Sequence, residues 1–131
     1  MIFESNSFDI NANSKAVSDY FGKPSNLKDL LPADRIEDWN ETEETCSFKI
    51  KSLAHIFLRI KDITDQKVVY TSDAEKPFPF DLNIHITASG DTCSIKADFD
   101  ADVNGFMGMM LKQPLTNFLN SLGEAASKKF A

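Results

Sequence analysis

Residues 104–122, NGFMGMMLKQPLTNFLNSL, begin the segment that decides the fold. From Met107 onwards, apolar residues recur at steps of 4, 4, 3, 4 and 4, which is the spacing of one face of a long helix. These residues are Met107, Leu111, Leu115, Phe118, Leu122 and Ala126. Asn104 precedes them as a predicted N-cap, and Lys128 and Lys129 suit the C-terminal end of the helix dipole. A helix with so long an apolar stripe must bury it against another layer of structure.

A sheet is predicted as that other layer, because apolar and polar residues alternate with a period of two through the middle of the chain. Two short helices, the first capped at Asn13 or Ser14 and the second beginning at Ser25, separate an N-terminal strand from the others. Short loops make the later strands an antiparallel meander with one wet face. The predicted strands are 2–10, 36–40, 46–51, 53–60, 67–72, 80–87 and 93–102, of which 36–40 is the weakest.

This order predicts an α+β fold in which a strongly bent antiparallel sheet of about six or seven strands surrounds the long C-terminal helix. The stretches FESNSFDI, NSKAVSDYF, SNLKDLLP and VNGFMGMMLKQPLTNFLNSL, in that order, resemble the helix-grip fold of the START-like and Bet v 1-like superfamily. That group includes polyketide cyclases, lipid-transfer domains and coenzyme Q-binding proteins. Leu-Pro after the second helix and Gln-Pro-Leu inside the last one are similar to its compact bacterial members. The resemblance covers the whole chain, so we expect a single domain of residues 1–131.

The resemblance implies a cavity between the sheet and the last helix that binds hydrophobic small molecules, and a minority of such proteins do chemistry there. Pro114 is expected to bend the helix near residues 110–114. Flexible methionines beside the bend would form an adaptable wall of the cavity, and the alternative is a plain core in which methionine fills gaps. The residues predicted to line the pocket are Phe48, Ile50, Leu82, Ile84, Ile95, Phe99, Met107, Met110 and Leu111.

Composition argues against several partners. The net charge is −6 and no basic stripe is present, so nucleic acid is not expected. No stretch approaches the roughly 18 apolar residues of a membrane span, and the N-terminus lacks the pattern of a secretion signal, so we expect a cytoplasmic protein without stable membrane insertion. Cys46 and Cys93 are predicted to be buried thiols rather than a disulfide or a metal site, and no cofactor is expected.

Candidates for chemistry depend on strand phase. Residues 53–60, LAHIFLRI, are apolar in both phases, and we favour the phase that leaves His55 and Arg59 facing water, because it buries no charge. The opposite phase would place both in the cavity for an acid–base or anion-binding role. Independently of that choice, Glu4 and Asn6 share the strand phase of Phe8 and Ile10 and could point inward near one end of the cavity. The alternation places His85 on the outer face, and it places the carboxylates of the acidic stretch 98–105, DFDADVNG, on a solvated face. That stretch does not fit a calcium loop, because its glycine is at position 8 instead of 6 and Met109 stands at position 12 instead of glutamate.

Three functions follow from these patterns. The favoured one is a non-enzymatic protein that binds a hydrophobic small molecule or lipid in the sheet–helix cavity. The second is an enzyme of the cyclase or aromatase type, which needs polar residues converging inside. The third is a protein-interaction module whose cavity is filled by some of the eleven phenylalanines. The predicted assembly state is a monomer or a weak homodimer.

Overall fold

The computed structural model describes residues 1–51, 54–73 and 78–131. Within these ranges the chain forms seven strands, one 3-10 helix and two α-helices. In chain order they are β1 (Ile2–Ile10), α1 (Ser14–Phe21), a 3-10 helix (Pro24–Asp29), β2 (Ile36–Glu41), β3 (Thr45–Ile50), β4 (Ala54–Thr64), β5 (Lys67–Ser72), β6 (Phe80–Ser89), β7 (Thr92–Ala101) and α2 (Gly105–Lys129).

The strands form one antiparallel sheet in the order β1-β7-β6-β5-β4-β3-β2, so the first strand of the chain lies beside the last one. The sheet is an open one, and α2 packs against β1 and β7. Two side chains of α2 bind the backbone of β1: Asn120 Oδ1 accepts from the N–H of Asn6 at 2.8 Å, and Ser127 Oγ donates to the carbonyl of Asp9 at 2.8 Å. The predicted α+β helix-grip architecture, with short helices after the first strand, is confirmed.

A bulge divides β1 into two phases. The register with β7 shifts between Glu4 and Ser7, so that Phe3 is buried before the bulge and Ile10 is buried after it. The prediction that Glu4 and Asn6 could point inward is therefore wrong, and both are exposed. A strict period of two cannot be carried across a bulge, because the extra residue reverses every later side chain.

The side chains of β4 alternate in the favoured phase, with the apolar residues pointing towards the core. Ile56 and Leu58 are buried, whereas His55 and Arg59 lie on the other face of the strand. Arg59 Nε donates to Asp73 Oδ1 at 2.8 Å on the outside of the sheet. The predicted phase of 54–60 is confirmed, and Arg59 is exposed as expected, whereas His55 is half-buried and its Nε2 is shielded from water. Leu53, also included in that predicted strand, lies outside the described residues.

Aromatic rings fill the space between the sheet and α2. The ring of Phe48 stacks on those of Trp39 and Phe118, with centroids 5.7 and 6.1 Å away. Phe80 stacks on Phe99 at 4.4 Å. These residues belong to one continuous core cluster that reaches from β2 to α2. Both cysteines are buried in it as free thiols, as predicted.

None of the helices in the described part of the chain combines the length and the apolar character needed to cross a bilayer.

Candidate functional site: a cleft beside the C-terminal helix

A cleft of about 470 Å³ opens between α2 and the end of the sheet formed by β2 and β3. We call it the α2 cleft. Three segments build it: the turn that leads into β2, the end of β3 and the middle of α2. Its lining residues are Pro32, Asp34, Arg35, Ile36, Ile50, Lys51, Pro114, Asn117, Phe118, Asn120, Ser121 and Glu124.

The floor of the α2 cleft is apolar. Ile36 and Ile50 are directly paired across β2 and β3, and Phe118 approaches from α2. Phe118 also stacks on Phe48, which is fully buried, so the floor continues into the core. Pro114 completes the helix side and leaves one backbone hydrogen bond of α2 unmade. An apolar ligand seated here would lie on the same aromatic cluster that stabilises the fold.

The rim of the α2 cleft is polar. Asn117 accepts a hydrogen bond from Gln113 Nε2 at 2.9 Å, one turn back along α2. Glu124 pairs with Lys128 at 3.5 Å. Arg35 and Lys51 supply the positive charge at the β2–β3 side. Such a ring of polar side chains around an apolar floor is the common composition of small-molecule sites.

The nine residues predicted to line a pocket divide into three groups. Ile50 lines the α2 cleft. Two methionines, Met107 and Met110, are exposed. The others are buried in the core with less than a tenth of their surface accessible: Phe48, Leu82, Ile84, Ile95, Phe99 and Leu111. Their inward orientation agrees with the alternation in the sequence, while a role in ligand contact stays a prediction.

The inward orientation expected for Met107 and Met110 is wrong. They are 42% and 65% exposed. The buried face of α2 begins instead at Gly108 and continues through Leu111. The side chain of Met1 lies so close to Gly108 that an added Cβ would come within 2.0 Å of its sulfur. Met1 thus covers the first turn of the helix, a contact between distant parts of the chain that periodicity alone does not reveal.

The exposed methionines belong to an apolar patch. It combines the N-terminal Met1 with the first turns of α2, because the side chain of Met1 lies against Gly108. Met109 is 80% exposed. The members of this apolar patch are Met1, Phe106, Met107, Met109 and Met110. They are five of the seven large hydrophobic residues that are exposed in the described ranges, and their proximity is a feature to explain.

The candidates for acid–base chemistry do not meet. Glu4 pairs with Lys96 at 3.2 Å, far along the sheet from the Arg59–Asp73 pair on β4. His55 stacks on Phe57 with ring centroids 4.5 Å apart.

His85 lies on the outer face as predicted. Its Nε2 is 2.6 Å from Asp98 Oδ2, and Asn83 donates to the other oxygen of that carboxylate at 2.8 Å. Within the described ranges, no group of three or more His, Cys, Asp or Glu side chains has the arrangement of a metal site.

Comparison with solved structures identifies the fold. Norcoclaurine synthase from Thalictrum flavum, solved in complex with dopamine and hydroxybenzaldehyde, is similar with a TM-score of 0.74 at 15% identity, over 98% of this chain and 85% of that one. A START superfamily protein from Mycobacterium smegmatis gives 0.71 at 10% identity, over 98% and 96%. The chain has the START/Bet v 1-like helix-grip fold. The protein XoxI from Bacillus cereus is also similar, with a TM-score of 0.72 at 16% identity, over 98% and 94%.

No family model matches the sequence, and no curated protein matches it.

A second groove of this helix-grip protein lies beside the end of β1 and the β6–β7 hairpin. Its volume is about 720 Å³, larger than that of the α2 cleft. Hydroxyl and small side chains dominate its walls, and Asp9 is its one charged side chain in the described ranges. We regard the α2 cleft as the better candidate, because it lies between the sheet and the helix and has an aromatic floor.

Sequence reasoning missed most of the α2 cleft. Pro32, which follows the second short helix, and Pro114, at the predicted bend of the last helix, both line it. Arg35 and Lys51 carry no functional signal in the sequence, since Arg35 precedes the weakest predicted strand and Lys51 is a polar residue at the end of the predicted strand 46–51. The register that pairs Ile36 with Ile50 would have brought these two cations together, had the pairing of β2 and β3 been predicted.

Proposed function

We propose that this protein binds a hydrophobic or amphipathic small molecule, such as a lipid, in the α2 cleft, and acts as a binding protein rather than as an enzyme. The observation that carries the proposal is the α2 cleft itself, with its volume of about 470 Å³, apolar floor and polar rim. Small-molecule sites usually have volumes of about 300–1,000 Å³ and this composition. The proposed location is the cytoplasm.

The fold adds support. Norcoclaurine synthase, which has a similar fold, was solved with two aromatic small molecules, dopamine and hydroxybenzaldehyde. That property belongs to the synthase. For this chain it supports the choice of a small aromatic or aliphatic molecule over a macromolecule as the occupant of the α2 cleft.

The residues predicted to line a pocket would differ in how directly they contact the ligand. Ile50 would touch the ligand directly, and Phe48 would support the ring of Phe118 beneath it. The deeper residues of the set would touch a ligand only if the aromatic core opened around it, because the core is closely packed. Met107 and Met110 would take part only if the ligand extended to the N-terminal end of α2.

Two tryptophan variants test the proposal. Asn117 and Gln113 are both exposed on α2 and bind each other, but only Asn117 lines the α2 cleft. Asn117→Trp should fill the cleft, while Gln113→Trp loses the same hydrogen bond and leaves the cleft open. With the neutral fluorophore N-phenyl-1-naphthylamine as probe, the protein should bind saturably, Asn117→Trp at least tenfold more weakly, and Gln113→Trp within about twofold of the parent.

An absence of saturable binding, or equal binding by the two variants, would reject the α2 cleft as the site. The apolar patch must be tested in parallel, since a hydrophobic probe could bind there. Met109→Glu places a charge in the middle of that patch without touching the cleft. Loss of binding in Met109→Glu alone would move the probe site to the patch.

A second candidate function is a protein-interaction module, and the apolar patch favours it. Exposed apolar side chains that lie close together, such as these five, are typical of an interaction surface. Flexible methionines suit a surface that adapts to a partner. The predicted weak homodimer would use this patch, with a second copy of the chain as the partner.

A further inference from the structure

Two asparagine side chains of α2 line the α2 cleft, and one of them has a fixed orientation. Asn120 Oδ1 accepts from the backbone N–H of Asn6 at 2.8 Å. Since a backbone N–H can only donate, the oxygen of this amide must face β1, and its Nδ2 is left as a donor. Within residues 1–51, 54–73 and 78–131, this Nδ2 donates to no protein atom. Asn120 therefore has a free donor where it lines the α2 cleft.

Asn117 adds a second amide one turn earlier on the helix. Its Oδ1 accepts from Gln113 Nε2 at 2.9 Å, so the oxygen of this amide is also engaged with the protein. Residues three apart on a helix are neighbours on its surface, so Asn117 and Asn120 border the same part of the cleft. The hydroxyl of Ser121, which also lines the cleft, can donate or accept. On its helix side the α2 cleft thus offers amide donors rather than amide acceptors.

The charged residues that line the α2 cleft balance each other. Arg35 and Lys51 are positive, and Asp34 and Glu124 are negative. All four are exposed, so their charged groups keep their contacts with water. Charge therefore gives the cleft no preference for an ion of either sign, and an uncharged acceptor is the group that suits the two amides best.

We infer that the α2 cleft selects an uncharged ligand that carries a carbonyl oxygen, as in a ketone, an ester or an amide, and that Asn120 and Asn117 donate to this oxygen. The inference rests on the proposed function, because it assigns chemistry to the ligand of that cleft. A carbonyl oxygen has two lone pairs and can accept from both amides. The apolar part of the ligand lies on Ile50 and Phe118.

A ketone and its isosteric alkene test the inference. 2-Acetonaphthone and 2-isopropenylnaphthalene have the same shape, but a methylene group replaces the carbonyl oxygen in the alkene. Displacement of N-phenyl-1-naphthylamine measures the affinity of each compound. Asn120→Asp keeps an oxygen for the N–H of Asn6 and replaces the donor by an acceptor, so it should lower the ketone-to-alkene affinity ratio about fivefold or more. The affinity for the alkene should stay within about twofold of that of the parent protein.

Two further variants and an acidic probe sharpen the result. Lys112→Gln lowers the net charge by one, as Asn120→Asp does, but Lys112 is exposed on α2 and does not line the cleft, so the affinity ratio should not change. Asn117→Asp removes the second donor and should lower the ratio about twofold or more. If Asn120→Asp fails to fold, Asn117→Asp carries the test. The acid 2-naphthoate should bind no more tightly than the ketone, because the charged lining residues balance.

The outcomes separate the two proposals. A ketone-to-alkene ratio that Asn120→Asp leaves unchanged, with binding of both compounds weakened by Asn117→Trp, would overturn the carbonyl ligand and keep the cleft as an apolar binding site. An acid that binds more tightly than the ketone would overturn the choice of an uncharged ligand. Failure of all three probes, together with failure of the neutral fluorophore, would reject the proposed function itself.

Discussion

Burial sets the chemistry of the two thiols. Cys46 and Cys93 are both buried within strands β3 and β7. Burial away from water raises the pKa of the Cys46 thiol to about 12, and the charge of Glu41 acts in the same direction. Burial also raises the pKa of Cys93. Since the thiolate is the reactive form, both side chains should be inert in the folded protein.

The first prediction concerns these thiols. At pH 8 the native protein should react with Ellman's reagent far more slowly than the same protein in guanidinium, which should show two rapid thiols. The pKa of Cys46 is near 9 in the unfolded chain and about 12 in the folded protein, so the protonated thiol favours the folded state. That contribution to stability is lost as the pH rises from about 9 to about 12.

Cys46→Ala is the control variant. Its free energy of unfolding should fall less over that alkaline range than that of the parent protein. Denaturant unfolding at pH 8 and pH 11 measures it. Two native thiols that react as fast as the denatured ones would contradict the burial of both side chains.

Orientation of single residues was predictable where a strand is regular. The burial of Ile56 and Leu58 was predictable, because the opposite phase of the strand would bury the charge of Arg59 without a partner. Glu4 was misplaced, because the bulge in β1 leaves no mark in the alternation. Met107 was misplaced because the buried face of α2 begins at Gly108, which packs against Met1 from the distant end of the chain.

Close approach of β1 and α2 depends on one glycine. A Cβ added at Gly123 would lie 2.3 Å from the ring of Phe8 on β1. Gly123 is buried within α2, where alanine would otherwise be favoured by about 1 kcal/mol. The absence of a side chain at this point lets the ring of Phe8 lie directly on the helix.

The second prediction follows from this contact. Gly123→Ala should destabilise the protein by up to about 2 kcal/mol, because overpacking of about 1–3 kcal/mol exceeds the gain in helix propensity. Gly105→Ala is the matched control, since nothing lies within 4 Å of a Cβ there, and it should be neutral or slightly stabilising.

Urea unfolding of both glycine variants, and of Gly123→Ala combined with Phe8→Leu, measures the effect. The smaller leucine should restore part of the loss in the double variant. Equal stability of the two alanine variants, or no coupling with Phe8, would show that the helix does not depend on this contact.

Elements were predictable from local signals. Asn104 as the cap of α2 is confirmed, with its Oδ1 accepting from the N–H of Met107 at 2.8 Å. Asn13 caps α1 in the same way, through the N–H of Ala16. Helix caps and apolar helix faces depend on residues that are close together in the sequence, so both can be predicted from it. The far end of β4, which extends to Thr64, was missed because it lies beyond the apolar run.

At the scale of the whole molecule, the fold followed from the order of its elements and the candidate site did not. The long apolar stripe of α2 needs a sheet to cover, and the alternating segments supply one. The α2 cleft instead joins residues near positions 35, 51 and 117, whose approach depends on register. The aromatic stack through Phe48 fills the space in which an interior cavity was predicted, and leaves a cleft at its edge.

Native mass spectrometry of the freshly purified protein tests the central claim, ligand binding in the α2 cleft, most directly. Protein from cells should carry extra mass that is lost on denaturation, or should take up N-phenyl-1-naphthylamine or 2-acetonaphthone when offered. Asn117→Trp should stay bare under the same conditions, and Gln113→Trp should behave like the parent. A parent protein that stays bare with every probe would contradict the account, and a dimer that Met109→Glu abolishes would assign the function to the apolar patch instead.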